Sequence, residues 1–165
     1  LLQCLDPLRK TMAVHLNNLT VIGPNWKNFL GENSKTKIID NKKGRWDDKT
    51  VLEHLENFTF NLIIENCNAE GYVSEKIYDS FMAGCIPLYF GNIDKNLPDI
   101  PTSTYINLKN FKDVKDINNF INNLSMNDLM NYKNAIIENR DRILRNVSPD
   151  IFAEKVYDIY NLSEI

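Results

Sequence analysis

The chain has 165 residues, 43% of them hydrophobic and 25% charged, with a formal net charge of −3. That length suits one domain burying roughly 70% of its unfolded surface, and the composition is that of a globular protein, neither disordered nor fibrous. The slightly acidic balance argues against general nucleic-acid binding through phosphates, and no apolar run approaches the ~20 residues of a membrane span.

The chain opens Leu1-Leu2 without a methionine or signal peptide, so it reads as a piece of something longer, with residues 1–4 as the end of a strand. Asp6-Pro7 is a cap-then-first-position signal for a helix running to about Leu16, with Arg9 in its first turn. A short strand follows over residues 19–23, stopped by Gly23-Pro24. The helix N-terminus is thereby aimed at strand ends, and Arg9 is either a ligand-facing cation or a surface arginine. Residues 25–49 are polar, with a short strand at 36–39 and a basic cluster of Lys42, Lys43 and Arg45 that reads as a solvated loop. Residues 51–56 give a short helix.

Residues 58–91 carry the strongest pattern. An apolar, β-branched run at 58–64 suits a buried strand, and a polar loop spans 65–71. From Val73 the period becomes helical, with Val73, Ile77 and Phe81 on one face and Met82 beside them. Gly84 stops this helix, and residues 85–90 form a second buried strand. A crossover helix between two apolar strands makes them parallel neighbours. Ligands of open parallel sheets bind beyond the carboxyl ends of the strands, here the loop at 66–72. Tyr72, Glu75, Lys76 and Asp79 fall on the helix side nearest it. A lysine in a first turn opposes the macrodipole, so Lys76 either shares a phosphate with the free N–H groups or belongs to an ordinary solvated, charge-paired face.

A further strand is expected at 104–108, then three helices. The first, 113–124, presents Val114, Ile117, Phe120, Ile121 and Leu124. Ser125, with Asp128 three residues on, caps the second, whose apolar face is Leu129, Tyr132, Ile136 and Ile143. Ser148-Pro149 opens the third, with Phe152, Val156, Ile159 and Tyr160. The three cysteines, Cys4, Cys67 and Cys85, have no metal-ligand spacing; Cys85 reads as core. Both His15 and His54 read as structural or solvent-facing. Five N-x-S/T triplets occur, but Asn57 leads into a buried strand and an asparagine-rich chain produces such triplets by chance, so they are not read as glycosylation sites.

Four blocks in order carry a resemblance to a known family: I-E-N at 64–66, Y-V-S-E-K-I at 72–77, A-G-C-I-P-L-Y-F-G at 83–91 and T-Y-I-N-L-K-N-F at 104–111. They resemble the donor-binding region of the α-1,3-fucosyltransferases. The resemblance implies a Rossmann-like α/β domain, a parallel sheet flanked by helices with a helical C-terminal segment, forming one half of a GT-B glycosyltransferase. It implies fucose transfer from GDP-fucose to a glycan hydroxyl, with inversion. It also implies donor-binding roles for Arg9, Asn66, Tyr72, Glu75 and Lys76. Arg9 and Lys76 would face the diphosphate, while Asn66, Tyr72 and Glu75 would lie around the sugar. Glu65 stays outside that set as a structural carboxylate.

The leaving group is a diphosphate, so the chemistry needs positive charge at the departing oxygen. Lys76, Arg9 and the helix N-terminus supply it. No cofactor is then required and no bound metal is expected, a divalent ion being at most stimulatory. The whole chain, 1–165, reads as one donor-binding domain, and the catalytic base is expected in an N-terminal acceptor domain absent from this chain. The compartment would follow the source, cytoplasmic for a bacterial or viral enzyme and the Golgi lumen for a membrane-anchored eukaryotic one. Two alternatives stay open: a non-catalytic nucleotide-sugar binding module, and a GT-B transferase using another nucleotide sugar.

Overall fold

The structure, a computed structural model, describes residues 5–23, 25–31, 35–39, 48–93 and 100–145. Helix α1 (Asp6–His15) leads to strand β1 (Thr20–Ile22), and α2 (Trp26–Leu30) leads to β2 (Lys37–Ile39). Then α3 (Asp48–Leu55), β3 (Phe60–Ile64), α4 (Glu75–Met82), β4 (Ile86–Phe90) and β5 (Ile106–Asn107) follow in the α/β alternation expected of a parallel sheet. Helices α5 (Val114–Asn123) and α6 (Met126–Arg145) close the described chain. Among the described residues the strand pairs are parallel: β1 with β2 in one sheet, and β3-β4-β5 in the other.

The central βαβ unit is as the sequence predicts. Its strands pair over their full length, from Phe60 opposite Ile86 to Ile64 opposite Phe90. The crossover helix buries Ile77 and Phe81 against them, with Val73 partly buried at its approach. Met82 is the exception: it is 46% exposed, one position off the stripe that faces the sheet. The predicted faces of α5 and α6 also pack on this core, with Ile117, Ile136 and Ile143 buried. Asn118 of α5 pins the end of α1, accepting from the Asn17 N–H at 2.9 Å and donating to the His15 carbonyl at 3.0 Å. The capping box at the start of α6 forms as read. Asp128 accepts from the Ser125 hydroxyl at 2.6 Å and N–H at 2.9 Å, and the Asp128 N–H donates back at 3.2 Å.

Other boundaries depart from the sequence reading for local reasons. Asp6 lies inside α1 rather than capping it, because its carboxylate pairs with Lys10 one turn on, at 2.9 Å. Helix α2 was not legible, since five residues are too few for a helical period. It is held by its aromatic side chains, Trp26 meeting Phe29 edge-on at 6.2 Å between centroids. The last strand is two residues rather than five. The Asn107 side chain accepts from the Lys109 N–H and turns the chain into a 3-10 helix. The expected strand at 1–4, the cluster at Lys42, Lys43 and Arg45, and the third C-terminal helix lie outside the described residues.

Cys85 is a core residue, wholly buried, with its sulfur beside the Leu55 and Phe58 carbonyls. Burial pushes its thiol up from 9.0 to about 11, with Lys133 opposing weakly. Because the neutral thiol is the favoured form in the fold, its contribution to stability is complete below pH 9.0 and is lost as the pH rises to about 11. Alkylation of the native protein at pH 8, read by peptide mass spectrometry, should label half-exposed Cys67 and leave Cys85 unmodified until denaturant is added. Equal labelling of the two would show that Cys85 is not held in the core.

Candidate functional site

Strand β3 ends at Ile64, and the next two side chains go opposite ways, as strand alternation requires. Glu65 turns inward and is 0% exposed; Asn66 turns out to solvent. Chain reversal through 67–73 then returns the backbone to α4. Its N-cap residue, Ser74, makes no capping bond to the helix. The Ser74 N–H instead donates to one Glu65 oxygen at 2.9 Å and its hydroxyl donates to the other at 2.7 Å. The Tyr89 hydroxyl from β4 adds a third donor at 3.1 Å. Burial first, and then the Glu65 charge, hold the Tyr89 phenol far above its ordinary titration range, so it stays a donor. Gly91 makes room for this: a β-carbon there would overlap the Tyr89 ring and hydroxyl. Glu65 is therefore the buried post to which the end of β3, the start of α4 and β4 are all fastened.

Lys76 stands over that post. Its ammonium donates to the Ser74 hydroxyl at 2.9 Å and lies 3.8 Å from Glu65 and 3.5 Å from Glu75. The side chain is 35% exposed, so one side of the cation is bound to the buried network and the other meets solvent. Besides Glu75 on its own helix, the cation thus has partners in Ser74 at the N-cap and Glu65 at the strand end. Glu75, by contrast, is 73% exposed, as a residue reaching for a ligand or for water would be.

Arg9 reaches the same strand end from α1. Its guanidinium donates to the Ile64 carbonyl at 3.2 and 2.8 Å and to the Asn66 side-chain oxygen at 2.6 Å. Asn66 in turn donates to the Tyr72 hydroxyl at 3.4 Å. Arg9 ties α1 to β3 and brings Arg9, Asn66 and Tyr72 into one chain of contacts. Arg9, Glu75, Lys76 and Asp79 line one cavity of about 710 Å³ beside β3. The five residues expected from the sequence thus gather at the carboxyl end of β3, where ligands of parallel sheets bind.

Sequence reasoning missed the supporting residues. Ser74 was inside a quoted motif, but its role depends on Glu65 turning inward. Lys109 was also missed. Its ammonium donates to Asn68 at 3.0 Å and Asn92 at 3.2 Å and lies 5.6 Å over the Phe90 ring. Burial lowers its pKa. Together with the Gly71 N–H bond to the Asn92 carbonyl at 2.9 Å, Lys109 holds the far side of the 66–72 loop.

Comparison with known proteins converges on this region. A family model described as the C-terminal part of glycosyltransferase family 10 (fucosyltransferase) matches residues 24–134. The chain is 28% identical over 134 residues to the alpha-(1,3)-fucosyltransferase FucT of Helicobacter pylori, covering 80% of this chain and 24% of that protein. It is 25% identical over 83 residues to 4-galactosyl-N-acetylglucosaminide 3-alpha-L-fucosyltransferase 9 of Mus musculus, covering 50% of this chain and 23% of that one. The chain thus spans about a quarter of the length of these curated relatives. In fold it resembles a crystal structure of alpha1,3-fucosyltransferase with GDP-fucose, with a TM-score of 0.50 and 19% identity, over 80% of this chain and 48% of that one. The α/β architecture, parallel sheets flanked by helices, is the GT-B fold of that neighbour. The matched span contains every candidate residue except Arg9, and the chain belongs to glycosyltransferase family 10, the fucosyltransferases.

Proposed function

We propose that this chain is the donor-binding half of an α-1,3-fucosyltransferase-like enzyme that transfers fucose from GDP-fucose to a glycan hydroxyl with inversion. The observation that carries the reading is the convergence of two cations, Arg9 from α1 and Lys76 from α4, on the carboxyl end of β3. A departing GDP gathers negative charge on its diphosphate, and preorganised cations stabilise that charge without reorganising at the moment of transfer. Arg9 is preorganised by Ile64 and Asn66, and Lys76 by Ser74 and Glu65. The first turn of α4 adds N–H groups that its N-cap side chain leaves uncapped. Asn66, Tyr72 and exposed Glu75 stand beside these cations, where they would meet hydroxyls of the transferred sugar. With this charge in place the reading requires no metal.

Deprotonation of the acceptor hydroxyl calls for a general base, and in this reading an N-terminal acceptor domain supplies it. Glu65 is unsuited, because both its oxygens are occupied by buried donors. The isolated chain should therefore bind GDP or GDP-fucose and transfer fucose to no acceptor. Losing the base costs typically 10²–10⁴-fold, and losing acceptor alignment costs more. Isothermal titration with GDP and a UDP control, paired with a radiolabelled transfer assay, tests this. Robust transfer by the chain alone would place a base within it, with Asp79 the first candidate. A preference for UDP would assign another donor, and absent GDP binding by a folded sample would leave only the family and the fold.

A further inference from the structure

A second cavity, of about 530 Å³, shares no lining residue with the one beside β3. It is framed by a short 3-10 turn at Thr102–Thr104, the last turns of α5 and the first turns of α6. Ser103 comes just before β5, and α5 has by then returned to the approach to β1, where Asn118 meets Asn17. The cavity therefore opens at the amino ends of the strands, opposite the 66–72 loop. Its frame is fixed from within. The buried Thr104 hydroxyl donates to the Pro101 carbonyl at 2.7 Å, and Phe120 packs on Phe111 with ring centroids 5.0 Å apart. The capping box holds Asp128.

The lining joins half-buried aromatic surface to polar groups with unused bonding capacity. Phe120 and Tyr132 pack against the core and also line the cavity. Both Ser125 bonds fall on one Asp128 oxygen, so the other has no protein partner among the described residues. Those bonds lower the Asp128 pKa, which keeps that oxygen an acceptor at neutral pH. The exposed side chains of Ser103 and Asn131 make no protein hydrogen bond among the described residues. The lining includes no lysine, arginine or histidine among the described residues, which argues against a phosphate or carboxylate ligand. A lipid chain would leave these polar groups dry and unpaired. A pyranose matches both features: its C–H face packs on an aromatic ring, and the hydroxyls around its rim donate and accept. We propose that this cavity is a subsite for a neutral sugar residue, packed on Tyr132 and hydrogen-bonded by Ser103, Asp128 and Asn131. Its volume falls within the roughly 300–1,000 Å³ of small-ligand sites. In an enzyme acting on glycans, a role that rests on the reading above, the subsite would hold one part of a glycan remote from the transfer site and raise avidity for the whole.

Titration of the isotope-labelled 165-residue chain with lactose, diacetylchitobiose and maltose in turn, without GDP, tests this by NMR. With at least one of these neutral disaccharides, the side-chain amides of Asn123 and Asn131 and the Ser103 backbone amide should shift together. They should saturate with a single Kd of about 1 mM, as suits an open site with a few hydrogen bonds. Asn131→Ala removes only an exposed amide, so it should leave the melting temperature unchanged and weaken that binding about 3- to 10-fold. Tyr132→Leu keeps an apolar side chain against the core and should abolish saturation below about 20 mM. No saturable shift with any of the three sugars would overturn the proposal. So would binding left unchanged by both substitutions, or shifts confined to Asn66 and Tyr72. A parallel GDP titration separates the two readings. A chain that binds GDP and no sugar loses the subsite alone, and one that binds sugar and not GDP keeps the subsite and loses the donor reading.

Discussion

Glu65→Ala should lower the stability of this chain by about 3–5 kcal/mol, the range for breaking a buried charged network by removing one partner. Truncation leaves the Ser74 N–H, the Ser74 hydroxyl and the Tyr89 hydroxyl without their acceptor in a site with 0% exposure at its centre. A buried donor left unmade costs about 1–3 kcal/mol, and the cavity adds to it. For a chain of this size the loss corresponds to a fall in melting temperature of roughly 6–20 °C. Glu65→Gln keeps the shape and one acceptor oxygen, and should fall between the two in a calorimetric melt. A Glu65→Ala protein melting within 2 °C of the parent would show that the post fastens nothing.

Lys76→Ala should weaken GDP binding by about 10- to 150-fold, the equivalent of one charge-assisted contact of roughly 1.5–3 kcal/mol. The exposed side of its ammonium is available to a phosphate, while the Ser74 hydroxyl and two carboxylates fix the other side. Glu65 keeps its three donors in this variant, so the melting temperature should fall less than in Glu65→Ala. Lys115→Ala, on the exposed face of α5, is the control and should leave the titration unchanged. Equal effects of the two lysines on Kd, or a Lys76 effect explained entirely by unfolding, would remove Lys76 from the phosphate site.

These two residues divide what is readable in a sequence from what is not. The apolar runs at 58–64 and 85–90, and the helical period between them, determine the βαβ unit by themselves. Each period reports a local burial pattern that the fold then satisfies, as Ile63, Ile77 and Leu88 show. The family blocks, likewise, placed Asn66, Tyr72, Glu75 and Lys76 near one strand end, because strand, loop and helix are contiguous. The direction in which Glu65 turns was not determined there. An acidic residue after a strand is ordinarily exposed, and only the convergence of Ser74 from α4 and Tyr89 from β4 makes its burial tolerable. Lys109 is the same case, since its asparagine partners lie 41 and 17 residues away. Arg9 is the same case again, since only the fold lays α1 against β3, 55 residues distant, where the Ile64 carbonyl takes its guanidinium. Periodicity and motif spacing carry information between near neighbours in the chain. The pairing of polar groups distant in the chain is set by how the strands stack, and only the tertiary structure decides it.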